Sequence, residues 1–166
     1  MDAVNSLQIA DHAGLPDARR AEALRAVEPH AVRGRLRLSA WFGALSVPLS
    51  TGGSAAAGMP RSVNLGRLLD VVSTRDAWMH TIDISEVVGR PPSLGSPVNG
   101  RIVQDVCLDW VRRHGQPVDL TLTGPAGGRY QSGAGGAVPE MDAVEFCRIL
   151  SGRSPGDGLL STKVLF

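Results

Sequence analysis

Between His114 and Val118 the apolar period of this chain changes, and that change limits the folds open to it. Ahead of it, Ile102, Val103, Val106, Trp110 and Val111 recur at the three-to-four spacing of a helix over about 97–114, closed by Gly115. Beyond it, Val118, Leu120 and Leu122 alternate with Asp119, Thr121 and Thr123, the two-residue period of a half-buried strand. PAGG then makes a turn, RYQSG a return strand and GAGG a second turn, with a third short strand expected over 137–141. Asp142 caps a helix, with Glu145 three residues on as in a capping box. Val144, Cys147 and Leu150 form the buried stripe of that helix, Gly152 stops it, and GLLSTKVLF is expected to end as a strand.

Upstream everything reads as helix or loop. Residues 2–12 have helical character, and Pro16-Asp17 starts a second helix running to about Phe42. Ala18, Ala21, Leu24, Val27 and Ala31 give it an apolar stripe, and Pro29 marks a kink or the end of a first segment. Residues 43–62, rich in Gly, Ser and Pro, read as a loop, and a third helix follows over about 63–88, ended by Gly89 and Pro91-Pro92. Helices come first and a small mixed unit follows. The expected class is therefore α+β: a helical bundle, then a small α/β domain with an antiparallel sheet.

Composition narrows function more than fold. With 166 residues, 43% hydrophobic and a net charge of +1, the chain can bury one sizeable core, or two small modules sharing one. No apolar run reaches the roughly 20 residues that cross a bilayer, and MDAVNSLQIADH lacks the basic start and apolar block of a secretory signal, so no membrane partner and a cytoplasmic location are expected. The near-neutral charge argues against nucleic-acid binding. Lys163 is the only lysine, and the cluster Arg33, Arg35 and Arg37 reads as a solvated face. Cys107 and Cys147 match no Cys-x-x-Cys pattern and read as buried free thiols. GPAGG lies between two strands, and no Gly-Lys-Ser/Thr is present, which excludes the usual phosphate-binding loops.

The third helix holds the unusual chemistry. On an ideal helical wheel Leu65, Leu69, Val72, Asp76, His80, Asp83 and Val87 share an arc of about 80°. The ends of this stripe are apolar and its middle is Asp, His, Asp. A carboxylate and an imidazole facing a core must pair with each other or bind a metal. Asp76 and His80, one turn apart, suit zinc or a similar ion, with Asp83 as a third ligand or as the partner that orients the His.

RDAWMHTIDISEVVGRPP resembles the signature of the mycothiol-dependent maleylpyruvate isomerase family, within the DinB-like helix-bundle superfamily. DLTLTGPAGGRY and MDAVEFCRILSGR are similar to that family's C-terminal domain, a small α/β unit like the sterol carrier proteins. The resemblance spans the chain, is strongest over 63–92 and 118–153, and implies a partial DinB-like metal-binding domain at 1–93 followed by the family's C-terminal domain at 94–166. It implies a divalent metal, zinc, held by the acidic-x-x-x-His motif, here Asp76 and His80, with Asp where the family often has Glu. A further His ligand belongs to the second bundle helix. MDAVNSLQIADH resembles the segment that follows that helix, so the resemblance implies that the first two bundle helices and one ligand are missing. His12, His30 and His114 sit in no matching motif.

The chemistry implied is that of mycothiol. A metal-activated thiolate adds to the double bond of a small unsaturated dicarboxylate, the bond rotates, and the thiol leaves. Arg148 and Arg153 are the candidate catalytic arginines that would clamp substrate carboxylates, against a plain reading as a solvated helix end. Thiol S-transferase-like members belong to the same family. The competing expectation is a non-catalytic, shortened relative that binds a small molecule or a protein partner. With two matched ligands, zinc binding is expected to be weak and isomerase activity absent, and a homo-oligomer or another protein is expected to cover the apolar stripes.

Overall fold

A computed structural model of the protein describes residues 6–7, 10–11, 13–48, 61–136 and 140–166. The fold is α+β, with helices first and a small sheet after them. Ser6, Leu7, Ala10 and Asp11 are helical. Helix α1, Asp17–Phe42, follows Pro16 and passes through Pro29 without ending. None of its residues is buried, so the apolar stripe at Leu24 and Val27 faces water.

The segment expected to be a plain loop is bracketed by two short strands, β1 (Ser46–Pro48) and β2 (Ser62–Asn64), paired antiparallel with Val47 opposite Val63. Val63 is therefore a buried strand residue rather than the start of the third helix. That helix begins as a single turn, α2 (Leu65–Arg67), with the Asn64 side chain accepting from the Arg67 N–H. It continues through a π-helical segment, Leu68–Val72, into α3, Ser73–Val87.

The π segment alters which residues face inward. A π turn advances by fewer degrees per residue than an α turn, so it rotates the side chains that follow it back around the axis. Arg67 and Arg75, eight residues apart, would lie about 80° apart on an unbroken α-helix. Here both reach Asp109 of helix α4 (Pro97–His114), with Arg67 Nη2 and Arg75 Nη1 each 3.0 Å from Asp109 Oδ2. The inward positions of the helix become Val72, Arg75, Trp78, Met79 and Ile82. The expected stripe of Leu65, Leu69, Val72, Asp76, His80, Asp83 and Val87 is thereby corrected. Its polar centre is partly exposed, and Val87 is 88% exposed.

Arg75 is 1% exposed and spends all five of its N–H donors. Nε and Nη2 donate to Asp105 Oδ2 at 2.9 and 2.6 Å, and Nη2 also to the Asp105 carbonyl at 3.0 Å. Nη1 donates to Asp109 Oδ2 at 3.0 Å and to the Leu165 carbonyl at 2.9 Å. Asp105, Asp109 and Arg113 recur every four residues on one face of α4, and Arg113 Nε lies 3.4 Å from Asp109 Oδ1. This network ties α3, α4 and the C-terminal tail together.

The sheet has the order β4-β3-β5. Strands β3 (Val118–Thr123) and β4 (Gly128–Ser132) form an antiparallel hairpin with Leu120 opposite Tyr130. Gly127 closes the turn where a Cβ would fall 2.2 Å from the Leu122 carbonyl oxygen. The third strand, β5, is only Met141–Asp142 and runs parallel to β3, so the sheet is mixed rather than wholly antiparallel. Residues 137–139 of the strand expected there lie outside the described residues. Helix α5, Ala143–Ser151, starts at Asp142, whose carboxylate accepts from the N–H groups of Val144 and Glu145 at 2.8 and 3.1 Å. It ends at Gly152 in the left-handed region. The tail forms a 3-10 turn, Gly158–Ser161, and not the expected strand. Lys163 Nζ donates to the Ile149 carbonyl at 2.8 Å, taking up an open acceptor at the end of α5.

Helices α4 and α5 cover one face of the sheet. Val118, Leu120 and Leu122 meet Val106, Cys107 and Trp110 of α4 and Phe146, Cys147 and Leu150 of α5 in one cluster, which Trp78, Met79 and Ile82 of α3 join. Both cysteines are free and buried, as expected. Desolvation pushes the Cys107 thiol up to about 12 and raises that of Cys147 as well, so neither forms a thiolate at neutral pH. Trp78 donates from its indole to Asn99 Oδ1 at 2.9 Å, and Asn99 Nδ2 donates to the Ser93 carbonyl at 3.2 Å. That chain of bonds fixes the crossing of α3 and α4.

Candidate functional site

Asp76, His80 and Asp83 project from one side of α3, each one turn from the next. They stand at the edge of the packed face and not inside it. Their side chains are 47%, 60% and 32% exposed, so the polar middle of the expected stripe does not face a core. The three side chains nevertheless approach one another. His80 Nε2 lies 3.5 Å from Asp76 Oδ1, and His80 Nδ1 lies 3.6 Å from Asp83 Oδ2. Both separations exceed a normal hydrogen bond.

The two contacts differ in what they can do. A tetrahedral ion with bonds of 2.0–2.1 Å spaces its donor atoms about 3.4 Å apart. The Asp76 Oδ1 and His80 Nε2 pair fits such an edge. Asp83 stands at the opposite ring nitrogen, so it cannot share an ion held through Nε2. It stands on the side of the ring where an outer partner would sit, 3.6 Å from Nδ1 and beyond hydrogen-bond reach.

Across from α3 the end of α5 brings Arg148 and Arg153 to the same place. The left-handed turn at Gly152, with the Arg153 N–H donating to the Arg148 carbonyl at 2.9 Å, folds Arg153 back toward α3. Arg153 Nε donates to Asp83 Oδ2 at 3.1 Å. Arg148 Nη1 donates to Glu86 Oε2 at 2.9 Å and lies 3.7 Å from Asp83 Oδ1, while Arg148 Nε lies 3.8 Å from Glu145 Oε2. The four residues singled out in the sequence, Asp76, His80, Arg148 and Arg153, thus join in one cluster through Asp83. Asp76, Asp83, Glu86 and Glu145 against Arg148 and Arg153 leave a formal charge of −2 with His80 neutral.

Among the described residues no group of three or more His, Cys, Asp or Glu side chains is placed to hold a metal ion. His12 lies outside the described residues. His30 sits on α1 with Nδ1 3.4 Å from the Ala26 carbonyl, and His114 stands edge-on to Trp110 with its ring centre 4.4 Å away. Burial lowers the pKa of His114. Sequence reasoning missed Glu86 and the whole Arg75 network. The four-residue spacing of Asp105, Asp109 and Arg113 was the available signal for the latter.

Compared with family models, curated proteins and solved structures, the chain matches none. No helix among the described residues is long and apolar enough to cross a membrane.

Proposed function

We propose that the chain is a metal-binding protein of the mycothiol-dependent maleylpyruvate isomerase kind, acting on a small unsaturated dicarboxylate or as a thiol S-transferase. The observation that carries this reading is the 3.5 Å spacing of Asp76 Oδ1 and His80 Nε2, with Asp83 on the other ring nitrogen. Asp76 and His80 would hold a divalent ion such as zinc. When bound, that ion would lower the pKa of a thiol cofactor such as mycothiol. Asp83, 3.6 Å from Nδ1, would orient the imidazole on closing that gap, and Arg153 and Arg148 hold Asp83 and Glu86 in place. The same two arginines are the cations beside the ligand pair, and a substrate carboxylate would bind them by exchanging for Glu86 or Asp83.

A second reading has its own support. Only two matched ligands are assembled, and α1 buries no residue. Both facts suit a non-catalytic relative that binds a small molecule or a protein. The two readings separate in one experiment. Zinc titration by calorimetry on the full chain is expected to give weak binding. Half of the apparent 10–16 kcal/mol of four-ligand sites is about 5–8 kcal/mol, a Kd from about 1 μM to about 0.2 mM. Asp76→Ala and His80→Ala should each remove it. Heats identical in wild type and both variants would end the metal reading. Turnover of maleylpyruvate with mycothiol and zinc, lost in the same variants, would decide for the enzyme.

A further inference from the structure

Leu24, Val27, Ala31, Gly34, Leu38 and Trp41 follow one another along α1 at spacings of three, four, three, four and three. This is a strict seven-residue repeat over two and a half turns of seven, the pattern of a seam that packs on another helix. The seam is open. Leu24 is 71% exposed, Val27 59%, Leu38 49% and Trp41 82%, and α1 has no buried residue at all. Pro29 lies on the opposite side of the helix, where its ring cannot obstruct a partner.

We infer that this seam packs antiparallel on the same seam of a second copy of the chain. Two observations select that occupant. The first is size. In an antiparallel pair the Trp41 end meets the Leu24 end, Leu38 meets Val27, and Ala31 meets Gly34. Large residues fill the two outer layers, and small ones let the helices approach in the middle. Arg37, Leu38, Trp41 and Phe42 line a shallow apolar hollow of 320 Å³ that would seat Leu24 of the second copy.

The second is charge. All acidic residues of α1, Asp17, Glu22 and Glu28, lie in its first half, and beyond Pro29 its charged residues are Arg33, Arg35 and Arg37. Asp17 and Glu22 already pair with Arg20 and Arg19 within α1. Glu28 and Arg35 occupy equivalent flanking positions beside the seam. The two-fold axis brings Glu28 of each copy to Arg35 of the other. A parallel pair would instead set the three arginines side by side.

The test is sedimentation velocity on the full 166-residue chain over a range of concentrations, with near-ultraviolet circular dichroism of the buried Trp78 and Trp110 confirming that each variant is folded. A reversible dimer is expected. Glu28→Arg and Arg35→Glu should each raise the dissociation constant about tenfold, since each breaks two pairs and creates two like-charge contacts. The double variant should return to within about threefold of wild type, because the exchanged charges pair again across the axis. Leu38→Glu should give a monomer. A wild-type monomer at high concentration, or a double variant as weak as the singles, would overturn the inference; so would a heterogeneous series of aggregates in place of a dimer.

Discussion

Replacing Arg75 with methionine would keep much of the side-chain volume and remove five hydrogen bonds at once. Asp105 would lose its side-chain partner, and Asp109 would keep only Arg67 and Arg113. Breaking a buried ion pair from one side costs about 3–5 kcal/mol, so the urea midpoint of Arg75→Met should fall by that equivalent. A loss under about 1 kcal/mol would show that the network is solvated in solution. Acid should act through the same residues. Burial works to raise the Asp109 carboxyl, but the Arg75 hydrogen bond and the charges of Arg113, Arg67 and Arg75 outweigh it and hold the group below the usual carboxylate range. A carboxyl held low in the fold contributes fully above its unfolded value of about 3.9. That contribution is lost as pH falls from there through the folded value. The midpoint of wild type should therefore drop as pH is lowered below about 4, and Asp109→Asn, already weaker at neutral pH, should drop less steeply. Equal slopes would remove Asp109 from the cause. Asp76 and His80 were legible because a carboxylate and a histidine one turn apart draw the eye. Arg75, their neighbour, was not, because a stripe of Val72, Arg75, Met79 and Ile82 looks interrupted until five hydrogen bonds to four acceptor atoms are seen to meet the guanidinium.

Elements with a strong local signal matched their expected ranges, and weakly marked ones did not. Helix α4 covers Pro97–His114, with Ser96 capping it and Gly115 in the left-handed region, and β3 covers Val118–Thr123. In both, period and stop signal agree. The two-residue β5 carries no alternation of its own and is defined by lying parallel to β3, a long-range fact. The tail looked like a strand, yet Val164 donates its N–H to the Leu150 carbonyl at the end of α5, and no sheet edge receives it. The π segment had no sequence marker, so a straight wheel drawn from Leu65 to Val87 gave the wrong inward face. The start of α5 offers a clean test of what one element owes to one side chain. Asp142→Ala removes the acceptor for two N–H groups and should cost about 1 kcal/mol in urea denaturation, whereas Asp142→Asn or Asp142→Ser should cost little. If serine were as damaging as alanine, the role of Asp142 would lie elsewhere, for example in the turn at Gly124.

At the scale of the whole molecule, stability is unevenly distributed. The sheet, α3, α4 and α5 share one buried cluster, whereas α1 buries no residue and, among the described residues, is hydrogen-bonded near its C-terminal end to the first turns of the third helix. There Ser39 Oγ donates to Asp70 Oδ2, Gly66 N–H donates to the Gly43 carbonyl at 3.0 Å, and Leu65 N–H to the Leu45 carbonyl at 2.7 Å. Amides in a part with few buried contacts exchange by local opening, and those in the core exchange only by global unfolding. In dilute solution the amides of residues 21–32 should therefore exchange on the order of 100-fold faster than those of Val106, Cys107 and Leu120, with protection rising toward Ser39. The slow set should lose protection with added urea, and the fast set should not respond to it. Raising the protein concentration separates this gradient from the proposed pairing of seams. A helix that packs on its own copy gains protection along its entire length as dimer accumulates, most of all at Ala31 and Gly34, where the two backbones would lie closest. A helix that simply stands in water keeps the same rates at every concentration. Slow exchange along all of α1 in dilute solution would contradict both, because it would require a buried face on α1 within the single chain.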